Sequence, residues 1–464
     1  MKTKQIFIGT GTEGDKRFLQ PEGICHTILS GGSTADREQA LASLAESVSA
    51  AGIPVFLSDA GGKLSGLSAS VPVTLWDLSG SSGLPFRTTV TELGPLLLSK
   101  LLGLSEKQQD LLRILIRIAD EQGLLLIDTK DLKALINEVS ENSDTYKKEY
   151  GTLNKQTLSA ILNAVVSLET KGSEAYLFEP AVDVQDLLTA ESGAAGRVHI
   201  LDAREQVGEK TVYAVVLLFL LGELYENAPD PEEEGRVQLV LFLDEAQLFL
   251  AELDDALLVK LQQILEGLAA KGIAACLSVP KDTDQPEGLI AAVSQIYKLQ
   301  DDGKILCLEV NRESEKMSIG LEQFELIQPR SSLRSLTAAE RKELSEADPL
   351  HEKYKIPFDR DSAYEFLKRR GLEEEQSAKE EPAADTGVPE EDSEGESSEK
   401  SEDLEAMAKR AKRSAKSLSS TVAGTVGRQV GKSLGSNLGS FGETLGGNIG
   451  ASLGRGIVNT LFKS

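Results

Sequence analysis

The stretch HTILSGGSTADREQALASLAE, residues 26–46, decides the fold. An apolar, strand-like run enters a Gly-Gly turn, and a helix with apolar residues at Ala40, Leu41 and Leu44 leaves it. A second apolar run, GIPVFLSDA at residues 52–60, completes one β-α-β unit. Such a unit predicts an α/β fold with a parallel sheet, and its strand, turn and helix have the outline of a P-loop.

Composition limits the classes of function. The 464-residue chain is long enough for several domains, and its net charge of -25 excludes general attraction to nucleic acid. Any DNA contact would need a local basic patch. The three cysteines lack metal-ligand spacing, and the longest apolar run, AVVLLFLL at 214–221, is too short to span a bilayer. Without the apolar region of a signal peptide, the expected location is cytoplasmic.

Changes in apolar spacing and composition predict six parts. They are the first part of the core (1–91), a helical insertion (92–190), the second part of the core (191–345), a C-terminal extension (346–371), an acidic disordered linker (372–404) and a basic, Gly-rich helical tail (405–464). Because strand signals return after the insertion, one sheet interrupted in the sequence is expected.

The turn does not carry the usual phosphate-binding residues. A P-loop reads GxxxxGK[ST], and starting it at Gly31 puts Asp36 at the second glycine, Arg37 at the lysine and Glu38 at the magnesium-binding hydroxyl. One like-charge contact near 4 Å costs roughly 4 kcal/mol at an effective dielectric of about 20, on the order of a thousandfold in affinity. Binding of ATP and magnesium is therefore predicted to be weak or absent. The candidate cofactor-binding residues are Gly31, Gly32, Ser33, Thr34, Arg37 and Glu38.

A second candidate motif lies in LVLFLDEAQLFL, residues 239–250, a buried strand that ends in Asp244-Glu245. In ATPases of this kind the first carboxylate orients magnesium and the second positions the attacking water. Asp244 is thus the candidate metal ligand, and both are candidate catalytic residues. Alternatively, the pair only ends a strand and begins a helix, where the helix dipole favours acids. The neighbouring strand-turn-helix unit favours the functional interpretation.

Several collinear stretches of the chain resemble the bacterial HerA-like helicase family, which belongs to the HerA/FtsK superfamily of ATP-binding proteins. They include IPVFLSDAGGKLSGLS, VPVTLWDLSG, TELGPLLLSKLLGL, IADEQGLLLIDTKDLKALI, LVLFLDEAQLFL and LTAAERKELSEADPLHEKY. The resemblance implies a RecA-like P-loop fold, assembly as a hexameric ring, and ATP-driven translocation on DNA or unwinding of it.

The departures from the family pattern fall mostly on the nucleotide site. The family's GATGTGKT corresponds to GGSTADRE at 31–38, and its DVKGDLSG to DAGGKLSG, where Gly61 replaces lysine and Lys63 replaces aspartate. At the γ-phosphate sensor, Thr-Gln becomes Ser278-Val279, and an expected arginine finger becomes Gln295. A family stretch between about residues 300 and 304 is shortened.

The tail has its own pattern. Glycines recur every three or four residues, beginning with Gly427, Gly431, Gly435 and Gly439, beside an apolar stripe of equal rhythm. Each glycine costs about 1 kcal/mol in a helix relative to alanine, so this helix would need a closely packed partner. The partner is either other helices, in copies of the tail or in the ring, or an anionic lipid surface or nucleic acid touched by its basic start.

Three hypotheses follow. The first is a degenerate HerA-like protein, a pseudo-ATPase that acts as a ring subunit or scaffold. The second is an active DNA translocase or helicase with a variant P-loop, in which Arg37 supplies the cation and Glu245 positions water. The third is an interaction or membrane-surface protein that works through its tail.

Overall fold

A computed structural model describes residues 5–19, 24–189, 194–231, 235–283, 286–311 and 318–380. The strands of this part of the chain are β1 (Ile6–Gly11), β2 (Lys16–Leu19), β3 (Thr27–Gly31), β4 (Val55–Asp59), β5 (Val73–Asp77), β6 (Leu84–Pro85), β7 (Val198–Asp202), β8 (Leu239–Leu243), β9 (Ile273–Val279), β10 (Gln295–Leu299), β11 (Lys304–Asn311) and β12 (Ser318–Leu326). They form one sheet in the order β2-β1-β12-β11-β10-β3-β9-β8-β4-β7-β5-β6.

Fourteen α-helices accompany the sheet in the described part of the chain. They are α1 (Thr34–Ala50), α2 (Val90–Leu101), α3 (Glu106–Gln122), α4 (Thr129–Glu141), α5 (Ser143–Tyr150), α6 (Lys155–Thr170), α7 (Val184–Leu188), α8 (Lys210–Asn227), α9 (Gln247–Leu250), α10 (Asp255–Ala270), α11 (Glu287–Ala292), α12 (Ala338–Ala347), α13 (His351–Tyr354) and α14 (Ala363–Glu380).

The strands from β10 to β6 run parallel, and β3 with its turn and α1 lies among them. Strands β4, β5, β7, β8 and β9 are buried along their whole length, as expected for parallel strands covered on both faces. The apolar runs of β4 and β8 are among the strand signals of the sequence. The predicted RecA-like P-loop fold, α/β with a helical insertion, is confirmed.

The sheet also has an antiparallel extension that the sequence patterns did not predict. Beyond β10 the strands β11, β12, β1 and β2 pair antiparallel. A tight turn joins β10 to β11, in which the Gln300 amide donates to the Lys304 carbonyl over 2.8 Å. The sequence predicts a stretch shorter than the family pattern at this turn.

Helices α2 to α7 lie between β6 and β7 in the chain and form the insertion. Its helices begin at sequence signals: Ser105 and Gln108 make a capping box at the start of α3, and Asp128 and Asp131 make one at α4. The run AVVLLFLL lies in α8 and is buried. Among the described residues, every helix is too short or too polar to cross a membrane.

After β12, a segment that we call the strap, residues 327–364, crosses from the P-loop helix to the insertion. Arg330 and Ser331 bind Glu46 of α1 through their amides, and Ser362 binds Asp131 of α4. The compact unit described here ends at Tyr364, and a second unit begins at Glu365. Helix α14 continues to Glu380 and thus overlaps the start of the predicted linker. The rest of the linker and the tail, with Gly427, Gly431, Gly435 and Gly439, lie outside the described residues.

Candidate functional site

The site is built around the turn that joins β3 to α1. Gly31 and Gly32 have φ angles of +93° and +61°, a region where a side chain would be strained. Ser33 caps α1, and the Asp36 carboxylate accepts hydrogen bonds from the Ser33 amide (2.8 Å) and hydroxyl (2.7 Å). These bonds lower the pKa of Asp36. The chain's own Asp36 carboxylate therefore accepts a backbone N–H hydrogen bond that a P-loop would offer to phosphate.

A row of polar side chains, which we call the polar row, crosses the ends of five adjacent parallel strands. Asp59 of β4 lies opposite Asp202 of β7, which lies opposite Asp77 of β5. Strand β8 pairs with β4 up to Leu243 and with β9 up to Leu277. The next residue of each strand continues the row, so Asp244 lies beside Asp59 and Ser278 lies beside Asp244. The carboxyl ends of neighbouring parallel strands are the usual place of a binding site in an α/β sheet.

Arg37, at the position of the P-loop lysine, points to the Asp-Glu motif. Its side chain is 2% exposed and forms an ion pair with Glu245, which is 16% exposed. The same guanidinium donates to the Gly32 carbonyl (3.3 Å) and the Thr34 hydroxyl (3.2 Å), and that hydroxyl donates to Glu245. The loop cation and the candidate water-positioning carboxylate thus neutralise each other.

Glu245 has an unusual backbone as well. Its φ angle of +47° is the one positive value of a non-glycine residue among the residues that the structure describes. Such a conformation is strained for an L-residue and needs support from its surroundings. The ion pair to Arg37, a bond from Gln247 Nε2 and the bond from the Ala246 amide to the Ser278 carbonyl (2.8 Å) hold this turn.

Glu38 stands where a P-loop has its magnesium-binding hydroxyl. It is 1% exposed, and its Oε2 lies 3.1 Å from the Nζ of Lys63. Both residues are departures from the family pattern, and they contact each other.

Asp244 is fully buried, and both of its carboxylate oxygens are without a hydrogen-bond partner in the described part of the chain. Its backbone is held instead: the Tyr213 hydroxyl donates to its carbonyl (2.6 Å), and its amide donates to the Ser58 hydroxyl (3.0 Å). Burial and the nearby carboxylates of Glu245, Asp59 and Glu38 raise the pKa of Asp244 to about 7.

The next two acids of the polar row are better compensated. Asp202 accepts two hydrogen bonds from Arg204, at 2.9 and 2.7 Å, and lies 2.8 Å from a guanidinium nitrogen of Arg341. Asp59 accepts from the amides of Lys63 and Leu64. Burial and the Asp202 carboxylate nevertheless raise the pKa of Asp59 to about 7.

The structure places the two remaining candidates differently. Ser278, the sensor position, is buried within the polar row, and its hydroxyl has no partner among the described residues. Val279 beside it is buried and apolar. Gln295 begins β10 opposite Thr27, the first residue of β3, so it lies at the far end of the strand from the loop. The arginine-finger position is therefore not brought to this site.

Sequence reasoning missed the compensating groups. Arg204 follows the strand RVHILDA directly, and Arg341 lies in the quoted stretch LTAAERKELSEADPLHEKY, but neither position shows by itself that it reaches Asp202. Within the described residues, no group of three or more His, Cys, Asp or Glu side chains has the arrangement of a metal site.

Comparisons with known proteins place the chain. A protein-family model described as Helicase HerA-like C-terminal matches residues 68–298 and 311–449, so the loop at 31–38 precedes the match. VirB4 of Thermoanaerobacter pseudethanolicus has 12% identity and a TM-score of 0.47 over 71% of this chain and 98% of its own.

The plasmid coupling protein TrwB in complex with ADP and Mg2+ has 13% identity and a TM-score of 0.40, over 71% of this chain and 81% of its own. No curated protein matches. Because the family match extends over most of the sequence, the chain belongs to the helicase HerA-like C-terminal family.

Proposed function

We propose that this chain is a degenerate HerA-like family member, a pseudo-ATPase that neither binds ATP tightly nor hydrolyses it. It acts through assembly, as a subunit of a ring, hexameric in the family pattern, or as a scaffold. The observation that carries the proposal is the ion pair between the buried Arg37 and the partly exposed Glu245. Neither the loop cation nor the carboxylate that would position water is available to a ligand.

The residues present do not fit ATP with magnesium. The Asp36 carboxylate already accepts from the Ser33 amide, and Glu38 replaces a hydroxyl with a buried carboxylate. A triphosphate here would meet both acids, and each like-charge contact near 4 Å costs roughly 4 kcal/mol at an effective dielectric of about 20. The cations in reach, Arg37 and Lys63, are each paired with a carboxylate of the chain itself.

Isothermal titration with ATP and magnesium tests the proposal. The wild-type chain should show no binding at micromolar concentrations. A matched variant, Asp36→Gly with Arg37→Lys and Glu38→Thr, restores the P-loop residue types and checks that the loop backbone still supports a nucleotide. Micromolar affinity of the wild-type chain would overturn the proposal.

A specific observation favours a second candidate, an active DNA translocase or helicase with a variant site. The Asp244 oxygens and the Ser278 hydroxyl are buried without partners in the described part of the chain, and such groups are normally satisfied by a bound ion, water or ligand. This candidate expects DNA-stimulated phosphate release that Glu245→Gln abolishes. Absence of release from the wild-type chain, with and without DNA, rules it out.

Native mass spectrometry of the full chain, with and without nucleotide, tests assembly into a ring. Deletion of residues 405–464 tests the tail: the proposal of a working tail expects a change in oligomeric mass or in association with DNA or anionic vesicles. If neither changes, the tail hypothesis is wrong.

A further inference from the structure

Three departures from the family pattern meet in one contact. Glu38, from the second turn of α1, is buried, whereas the side chain of Lys63 is 49% exposed and reaches in from the loop after β4. Their charged atoms lie 3.1 Å apart. A buried carboxylate requires a charged partner or several donors, and Lys63 is the cation that Glu38 contacts.

Gly61 is part of the same arrangement. A Cβ atom added at Gly61 would overlap the Oε1 atom of Glu38. The φ angle of Gly61 is not in the left-handed region, so the backbone does not require glycine there. A side chain at Gly61 would therefore require the Glu38 carboxylate to move from the position in which it pairs with Lys63.

The loop that carries Lys63 is fixed on both sides. The Asp59 carboxylate accepts from the Lys63 amide at 3.1 Å and from the Leu64 amide at 2.9 Å. From the strap, the Ser335 hydroxyl donates to the Gly62 carbonyl (2.6 Å), and the Arg334 amide donates to the Lys63 carbonyl (2.9 Å). Lys63 therefore projects from a rigid base, which lowers the entropy lost when it pairs with Glu38.

We propose that Glu38, Gly61 and Lys63 form an autoinhibitory latch that closes the magnesium side of the loop without any ligand. The ammonium of Lys63 pairs with the Oε2 atom of Glu38, whereas Oε1 is buried without a hydrogen-bond partner among the described residues. The pair offsets the negative charge that would otherwise attract a divalent cation to this side of the loop. The latch rests on the proposed function and deepens it, because it assigns the block to a contact that substitution can open.

A double-mutant cycle on the full chain tests the latch by thermal unfolding. Lys63→Met should lower the Tm by several degrees, since it leaves Glu38 buried and unpaired. Glu38→Gln keeps the shape without the charge, and the double variant Glu38→Gln, Lys63→Met should recover most of the loss. Lys355→Met, at a surface pair of 2.7 Å with Glu352, is the matched control and should change little. Losses that simply add up would overturn the latch.

A second set of variants tests the steric contact between Gly61 and Glu38. Gly61→Ala should lower the Tm of the wild-type chain but leave the Tm of a Glu38→Ala chain unchanged, because the overlapping carboxylate is then gone. Gly208→Ala, where an added Cβ would meet no atom within 4 Å, controls for the glycine change itself. An equal loss of Tm in both backgrounds would contradict a steric contact between Gly61 and Glu38.

Titration with ATP and magnesium distinguishes a failure of the proposed function from a failure of the latch alone. If the wild-type chain binds at micromolar affinity, the proposed function is wrong, and the latch with it. If the wild-type chain does not bind and the stability losses of Lys63→Met and Glu38→Gln are additive, only the latch is wrong. No binding together with strong coupling between Glu38 and Lys63 supports both.

Discussion

Two neighbouring rows on one face of the sheet differ completely in chemistry. The polar row at the strand ends comprises Ser278, Asp244, Asp59, Asp202 and Asp77. Two residues earlier on the same strands stand Cys276, Phe242, Leu57, Ile200 and Leu75, each at most 5% exposed. Because side chains alternate along a strand, both rows share a face, about one side-chain repeat apart. We call the earlier one the apolar row.

The comparison shows which part of the molecule each row controls. The apolar row packs in the core that also holds α1 residues such as Leu41 and Leu44, so it fixes the sheet and the position of the P-loop helix. The polar row and its neighbours carry charges whose partners come from the loop, from Arg204 and from the strap. The same scaffold could therefore carry a different set of strand-end charges, and with it a different function.

The largest expected effect is a cavity in the apolar row. Phe242 is 3% exposed, and Phe242→Ala should lower the free energy of unfolding by about 3–5 kcal/mol through lost burial and a residual cavity. Urea denaturation measures the change. Val259→Ala, at a residue that is 56% exposed, should shift it by no more than about 0.5 kcal/mol. A loss below about 1 kcal/mol for Phe242→Ala would show that the apolar row does not carry the fold.

Loss of the ion pair between Arg37 and Glu245, next to the polar row, should have the next largest effect on stability. Arg37→Met leaves Glu245 without its guanidinium partner, and we expect a loss of about 2–3 kcal/mol, below the range for fully buried pairs because Glu245 is partly exposed. Adding Glu245→Gln should restore part of it. The control is Arg334→Met, whose pair with Glu340 is 51% and 40% exposed and should contribute less than about 1 kcal/mol. Equal losses at both pairs would contradict a buried pair at Arg37.

The two rows also differ in how far sequence alone could predict them. Runs such as LVLFL and VHILD are buried strands in the structure, because an apolar run between turns has few other solutions. The altered loop residues and Asp244-Glu245 were recognisable from their spacing. Their pairing was not, because Arg37 and Glu245 are 208 residues apart in the chain and meet only through the order of β3, β9 and β8.

The pH dependence of the free energy of unfolding distinguishes buried acids from buried bases. His199 accepts from the Trp76 indole at 3.2 Å, and burial, with a smaller effect of Arg197, lowers its pKa to about 3. The unfolded chain binds a proton at His199 below about pH 6.5 while the folded chain does not, so stability is lost as pH falls.

Between pH 7 and 5, His199 should remove about 2 kcal/mol at most from the free energy of unfolding. His199→Gln should flatten this slope, whatever its effect at pH 7, and urea titrations at several pH values measure it. The raised pKa of Asp59 acts in the opposite direction, since a buried carboxyl loses stability as pH rises toward its folded value of about 7. An unchanged slope in the variant would mean that His199 takes up a proton as readily in the folded chain as in the unfolded chain.

The smallest effect is expected at Tyr354 of the strap, which combines both kinds of chemistry in one side chain. Its ring packs edge-on against Trp76 at 5.0 Å, while its hydroxyl accepts from the Asp183 amide at 2.9 Å and donates to Asp186 at 2.5 Å. Tyr354→Phe keeps the packing and removes the two hydrogen bonds, so the free energy of unfolding should fall by about 1 kcal/mol. Hydrogen exchange should rise at Asp183 and in α7, which contains Asp186, and not in β5, which contains Trp76. A rise in β5 instead would mean that the hydroxyl, and not the ring, holds the strap against the sheet.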